Sequence, residues 1–329
     1  MREEQIIKSK RIHRRTGKTF YFATKLLPER IRHATYVLYG FFRIADEVVD
    51  DEDPAPPEDQ ESELERIRAE AKGEVEASDP VLDAFHDLKE EYGIPDSYVD
   101  AFIDSMKEDI AKGRYATYAE LRDYMYGSAA MVGLMMTAVM EPKEHEKAKP
   151  HAVALGEAFQ MTNFIRDVRE DIVERDRVYI PMETLERHGV SYDQIENLEF
   201  SSGFGASIED ELHRTEDLYK KGVAGIKYLP KDCQFAVLLA AVLYADHHRL
   251  IRDLNFDVLS ETPSLSTSRK LYLVARTYRE WVKTRDPKAT FRSITTIPTE
   301  GTEQVSKSRT SGSCVTRRLV SSIIAISPF

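Results

Sequence analysis

FQMTNFIRDVREDIVERDRVYIP, residues 159–181, is the stretch that decides the fold. Phe159, Phe164, Ile165 and Val168 recur at the spacing of a helix core face. Polar groups break that face: Gln160, Asn163, Asp167 and Asp171 run down one stripe, with Arg166 and Glu170 beside it. A buried stripe of unpaired carboxylate and amide is costly. The cost disappears where two such helices face each other across a cavity containing metal ions.

FFRIADEVVD, residues 41–50, offers the second helix. Arg43, Asp46 and Asp50 share one face there, with Tyr39 one turn earlier. Two like charges at i and i+4 cost about 0.2–0.5 kcal/mol unless a cation bridges them. A hard divalent ion wants oxygen ligands, with substrate phosphate completing its shell. Arginines among the carboxylates make no sense for metal alone. They fit an anion with exposed oxygens, such as diphosphate, carried by the metals. The spacing by itself is weak, because Asp-x-x-x-Asp occurs seven times: 46/50, 79/83, 83/87, 96/100, 100/104, 167/171 and 253/257. A solvated face is the ordinary reading of the other five.

The rest of the body reads as helix after helix, with apolar residues three and four apart and no sustained period of two. Pro and acidic loops such as DDEDPAPPED punctuate it. Asp79-Pro80 predicts an N-cap with proline in the first turn. Tyr118–Met140 is apolar and carries Gly127, Ala129, Ala130 and Gly133, which allow a close helix contact or leave room for a bulky ligand. The expected architecture is all-α: a single domain over residues 1–286, of nine to eleven helices. Residues 287–329 hold six basic residues, two acidic and 15 Ser+Thr, and are expected to be a disordered tail.

Net charge is −11 over 329 residues, which argues against a nucleic-acid partner. Two cysteines, Cys233 and Cys314, make neither a disulfide framework nor a zinc cluster, and a cytoplasmic setting is expected. The longest apolar runs are well short of the roughly 20 residues that span a bilayer. Lys8, Lys10, Arg11, Arg14, Arg15 and Lys18 form a basic island. It reads either as a solvated face or as a flap that meets phosphate or an anionic membrane surface.

KTFYFATKLLPERIRHATYVLYGFFRIADEVVD (18–50), ELRDYMYGSAAMVGLMM (120–136), residues 159–181 and, more loosely, LYADHHRLIRDLNFDVL (243–259) resemble the signatures of the squalene and phytoene synthase family. The likeness runs from about residue 4 to 283, and DEVVD with DVREDIVERDRVYIP is most similar to the phytoene synthases. That resemblance implies an isoprenoid synthase-type helical bundle around a central cavity. It implies a Mg²⁺- or Mn²⁺-dependent, head-to-head joining of two geranylgeranyl diphosphates through a cyclopropyl diphosphate to phytoene, without a nicotinamide cofactor. The alternative within the family is a squalene or dehydrosqualene synthase using farnesyl diphosphate.

By the same resemblance, Asp46, Asp50, Asn163, Asp167 and Asp171 are metal ligands, and the four aspartates are catalytic. Arg43, Arg166, Lys18 and Thr19 hold phosphate; Tyr39, Gln160 and Tyr244 contact substrate. Tyr126, which is also assigned to catalysis, and Phe20 line the cavity. His247 and His248 are read as structural or exposed. A lipophilic product implies peripheral contact with the cytoplasmic membrane face. The sequence departs from the family pattern at Glu47, at Thr16 and Thr19, at Ala130, and at Ser260, Glu261 and Thr262, where a basic pair is frequent. That last change puts one phosphate contact in doubt.

Overall fold

The computed structural model describes residues 2–51 and 53–297, the side chains of residues 18 and 19 aside. Helices α1 (Glu3–Thr16), α2 (Lys18–Thr24), α3 (Glu29–Val49), α4 (Pro57–Lys72), α5 (Pro80–Tyr92), α6 (Asp96–Ala111), α7 (Tyr118–Met125) and α8 (Met131–Met140) form the first half. The second half comprises α9 (His145–Arg166), α10 (Val168–Arg175), α11 (Met182–Arg187), α12 (Tyr192–Glu196), α13 (Ser202–Val223), α14 (Lys231–Asp253), α15 (Thr267–Thr284) and α16 (Pro287–Ile294). Among the described residues there is no strand, only one parallel bridge between Arg114 and Val178. The all-α expectation holds.

Local chemistry sets the boundaries. Asp79 accepts a hydrogen bond from the Val81 amide, Pro80 opens α5, and Gly93 closes it with a left-handed φ of 60°. Ser201 and Ser266 cap α13 and α15 in the same way. Sixteen α-helices among the described residues exceed the expected nine to eleven, because α1, α2, α11, α12 and α16 add helices in other segments and two predicted helices are interrupted. A π-helical turn, Tyr126–Ala130, separates α7 from α8. Asp167, at φ −100° and ψ 13°, ends α9 and starts α10.

The tail expectation needs correction at its start. Residues 287–294 form α16, and Phe291, Ile294 and Ile297 are buried against α13 and α14. Asp286 caps this helix and Pro287 supplies its first residue, a local signal that the Ser/Thr-rich composition obscured. The remainder of the expected tail, 298–329, lies outside the described residues.

Three buried clusters hold the bundle together. Phe41 of α3 stacks on Phe85 of α5 at 3.9 Å. Phe164 of α9 stacks on Tyr179 at 3.9 Å, beside Tyr115 and Tyr124. Leu239, Val242 and Leu243 of α14 pack around Tyr219 of α13. Helices α8 and α9 cross in close contact. A Cβ on Gly133 would sit 2.5 Å from the Ala152 carbonyl oxygen, and one on Gly156 2.4 Å from that of Ala129.

Candidate active site

Between α2, α3, α6, α8, α9 and α14 lies a cavity of ≈ 340 Å³. Leu38, Phe42, Phe102, Met106, Val132 and Met136 give it an apolar wall, and Phe20 joins them. Ser128, Val132, Gly133, Met136, Thr137 and Met140 follow it along one helix face. Twelve residues of helix correspond to about 18 Å at 1.5 Å per residue. Both readings of the small residues in this segment are therefore realised: Gly133 permits the close crossing and also opens the cavity wall.

Polar groups gather at one end. Tyr39, Arg43, Asp46 and Gln160 line the cavity. Asp46 is held by Arg43, whose Nε also lies 3.3 Å from Glu47. Asp50 receives Arg177 at 2.8 Å, and the same guanidinium donates to the carbonyls of Val49 and Asp109. On the opposing stripe, Asp167 accepts from Arg166 Nε at 2.6 Å. Arg175 spans the gap, with Nε 3.5 Å from Asp50 and Nη1 3.4 Å from Asp171. One guanidinium in reach of a carboxylate from each stripe means that the two acidic stripes confront one another.

The electrostatics are those of crowded negative charge. Burial, then repulsion by Asp50, pushes the Asp46 carboxyl up to about 6 against the pull of Arg43. Burial and then Asp167 raise Asp171 well above the usual carboxylate range. Asn163 Oδ1 is buried without a hydrogen-bond partner. Among the described residues, no three carboxylate, imidazole or thiol groups are gathered into a metal cage. The aspartates have arginine partners instead. An orphaned amide oxygen and carboxylates raised by burial, and then by a neighbouring carboxylate, form an all-oxygen donor set suited to a hard divalent cation.

Other expected residues fall in different places. Tyr244 is buried behind the cavity wall, its ring 4.6 Å from Phe20 and 4.9 Å from Phe159. Tyr126 is corrected: it is 56% exposed and does not line the cavity. It lies two residues, about 200° of helix, from Tyr124, which reaches the cavity along with Ser128 one turn later, so it points outward. Tyr124 also donates to the buried carboxylate of Asp109 at 2.7 Å. Lys18 and Thr19 have side chains outside the described residues. His248 is buried, near Thr162 and Glu216, and His247 is buried against its own helix. Both take structural positions.

Sequence reasoning also missed Arg175, Arg177 and His13. The two arginines lie within the quoted 159–181 stretch, but only tertiary proximity reveals Asp50 as their partner. His13 lines the cavity and stacks on Tyr39 at 4.0 Å with its ring planes 11° apart. Burial lowers it to about 3, so the ring is neutral.

Comparison with known proteins agrees with this fold. The squalene/phytoene synthase family model matches residues 13–269. The chain therefore belongs to the squalene/phytoene synthase family. It is 31% identical over 278 residues to a 15-cis-phytoene synthase of Synechococcus elongatus, covering 80% of this chain and 88% of that one. A phytoene synthase of Thermus thermophilus is 31% identical over 275 residues, covering 82% and 90%. Among solved structures, a dehydrosqualene synthase in complex with ligand superposes with a TM-score of 0.76 at 25% identity, covering 86% of this chain and 98% of that chain. The protein is thus an enzyme of the prenyltransferase type, in isoprenoid biosynthesis. No helix among the described residues is long and apolar enough to cross a membrane.

Proposed function

We propose that this enzyme condenses two geranylgeranyl diphosphates head to head to phytoene. The observation that carries the reading is Arg175 within reach of both Asp50 and Asp171, beside an apolar cavity lined by Asp46 of one stripe and Gln160 of the other. Relatives named phytoene synthase support the C20 substrate.

The residues that would hold Mg²⁺ or Mn²⁺ are Asp46, Asp50, Asn163, Asp167 and Asp171. Bound there, the ions supply Lewis-acid stabilisation of departing diphosphate. The chain's own contribution is to place charge and exclude water. Arg43 and Arg166, each already beside an aspartate, donate charge-assisted hydrogen bonds to diphosphate oxygens. The family resemblance gives Lys18 and Thr19 the same task. Tyr39 and Gln160 orient the allylic end of the substrate from the cavity wall. Tyr244 braces Phe20 and Phe159 against the prenyl chains. Loss of the first diphosphate leaves an allylic cation. The second substrate's double bond captures it, with proton loss, as a cyclopropylcarbinyl diphosphate. A second ionisation, rearrangement and proton loss then give phytoene. The apolar lining keeps water from quenching these cations. A product of this kind is released to lipid, so peripheral membrane contact belongs to the same reading.

Purified protein with Mg²⁺ and geranylgeranyl diphosphate is expected to yield phytoene without reductant. No C40 product, or a strict NADPH requirement, counts against it. The likeness to a dehydrosqualene synthase structure favours a second reading, with farnesyl diphosphate as substrate. Parallel incubation with the C15 and C20 diphosphates separates the two.

A further inference from the structure

Helix α15 has two apolar faces. Leu273, Thr277 and Trp281 are buried against the bundle. Opposite them, Leu271, Ala275, Tyr278 and Val282 recur at spacings of four, three and four, which puts them in one stripe. Leu271 is 57% exposed, Tyr278 59% and Val282 45%. Single exposed apolar residues are ordinary, but a contiguous stripe marks an interaction surface.

Cations surround the stripe. Arg279, Lys283 and Arg285, with Lys288 and Arg292 of α16, are all exposed. From residue 267 to 294 there are eight Lys+Arg and two Asp+Glu, a net +6 in a chain whose total is −11. Tyr278 also sits edge-on to Phe235 at 5.8 Å, next in sequence to Ala236 and Val237 of the cavity wall.

Self-pairing through this face would set Arg279, Lys283, Arg285 and Lys288 against the same cations of the copy, and nucleic acid has no use for the apolar stripe. We propose that α15 docks on an anionic lipid surface. Leu271, Tyr278 and Val282 enter the headgroup boundary, and Arg279, Lys283, Arg285 and Lys288 meet lipid phosphates. This names the surface for the membrane contact proposed above and rests on that reading for its purpose. The assay contains no prenyl diphosphate, so its failure would leave the prenyltransferase reading standing.

The test is co-sedimentation of the full chain with vesicles of phosphatidylcholine alone and of phosphatidylcholine mixed with phosphatidylglycerol. Binding is expected only to the mixed vesicles and should weaken with salt. Leu271→Ser with Tyr278→Ser, and separately Arg279→Glu with Lys283→Glu, should each weaken it about tenfold while thermal unfolding stays unchanged. Equal binding to both vesicle types, no binding to either, or full binding by both folded variant pairs overturns the proposal. So does a native dimer that the Leu271/Tyr278 pair converts to monomer, because the face would then belong to a second copy.

Discussion

Replacing Asp46 by Asn should make the metal-free enzyme more stable while destroying its response to metal and diphosphate. The folded-state carboxyl is raised from 3.8 to about 6, by burial and then by Asp50. Each pH unit between those values corresponds to about 1.4 kcal/mol, a ceiling of roughly 3 kcal/mol. The side chain is 39% accessible at the cavity mouth, and solvent screening reduces that ceiling to roughly 1 kcal/mol. The sign follows from linkage. A carboxyl whose folded value exceeds its unfolded value binds more protons when folded, so stability falls as pH rises from about 4 to about 6. The neutral amide of Asp46→Asn would remove that penalty and still accept from Arg43. Calorimetry at pH 8 should therefore show the variant melting about 2 °C higher, with the advantage shrinking by about half at pH 5. Adding Mg²⁺ with inorganic diphosphate should raise the native melting temperature and leave the variant unmoved. A variant that melts lower than native at pH 8, or a difference independent of pH, would refute the reasoning.

Asp167→Ala should abolish turnover with the fold retained by circular dichroism, whereas Asp100→Ala should stay active. Asp100 lies near Lys72 at 3.2 Å and Arg68 at 3.9 Å on another helix and has no place in the cavity. Arg252→Leu removes the guanidinium 2.6 Å from Glu216, which is 1% exposed, so urea unfolding should show a loss of roughly 3–5 kcal/mol. Gly156→Ala forces a methyl to within 2.4 Å of a backbone oxygen and should cost about 1–3 kcal/mol in the same assay.

The stripes were legible in the sequence because helix spacing alone aligns Asp46 with Asp50 and Gln160 with Asn163 and Asp167. The other five pairs differ in exposure, most of their side chains lying more open to solvent than those of Asp50, Asp167 and Asp171. Asp79 caps α5 and meets Lys8, Asp83 meets Arg2, Asp96 meets Lys89, Asp104 meets Arg68, and Asp253 meets Arg249. Those charges are matched by nearby cations away from the cavity. What escaped the sequence was set by register and tertiary approach. Tyr124, four residues before Ser128 on the cavity stripe, takes the place expected of Tyr126. The approach of residues 175–177 to the end of α3 gave Asp50 its arginines. Asp109, raised to about 7 chiefly by burial, was hidden because nothing local distinguishes it from its half-buried neighbour Glu108.

The central claim is that both acidic stripes serve one metal–diphosphate site. Crystals of the enzyme with Mn²⁺ and diphosphate, measured for anomalous scattering, address it directly. The account expects manganese bound by oxygens from Asp46 or Asp50 on one side and from Asn163, Asp167 or Asp171 on the other. Manganese confined to a single stripe, or found only at surface pairs such as Asp96 and Asp100, would contradict it.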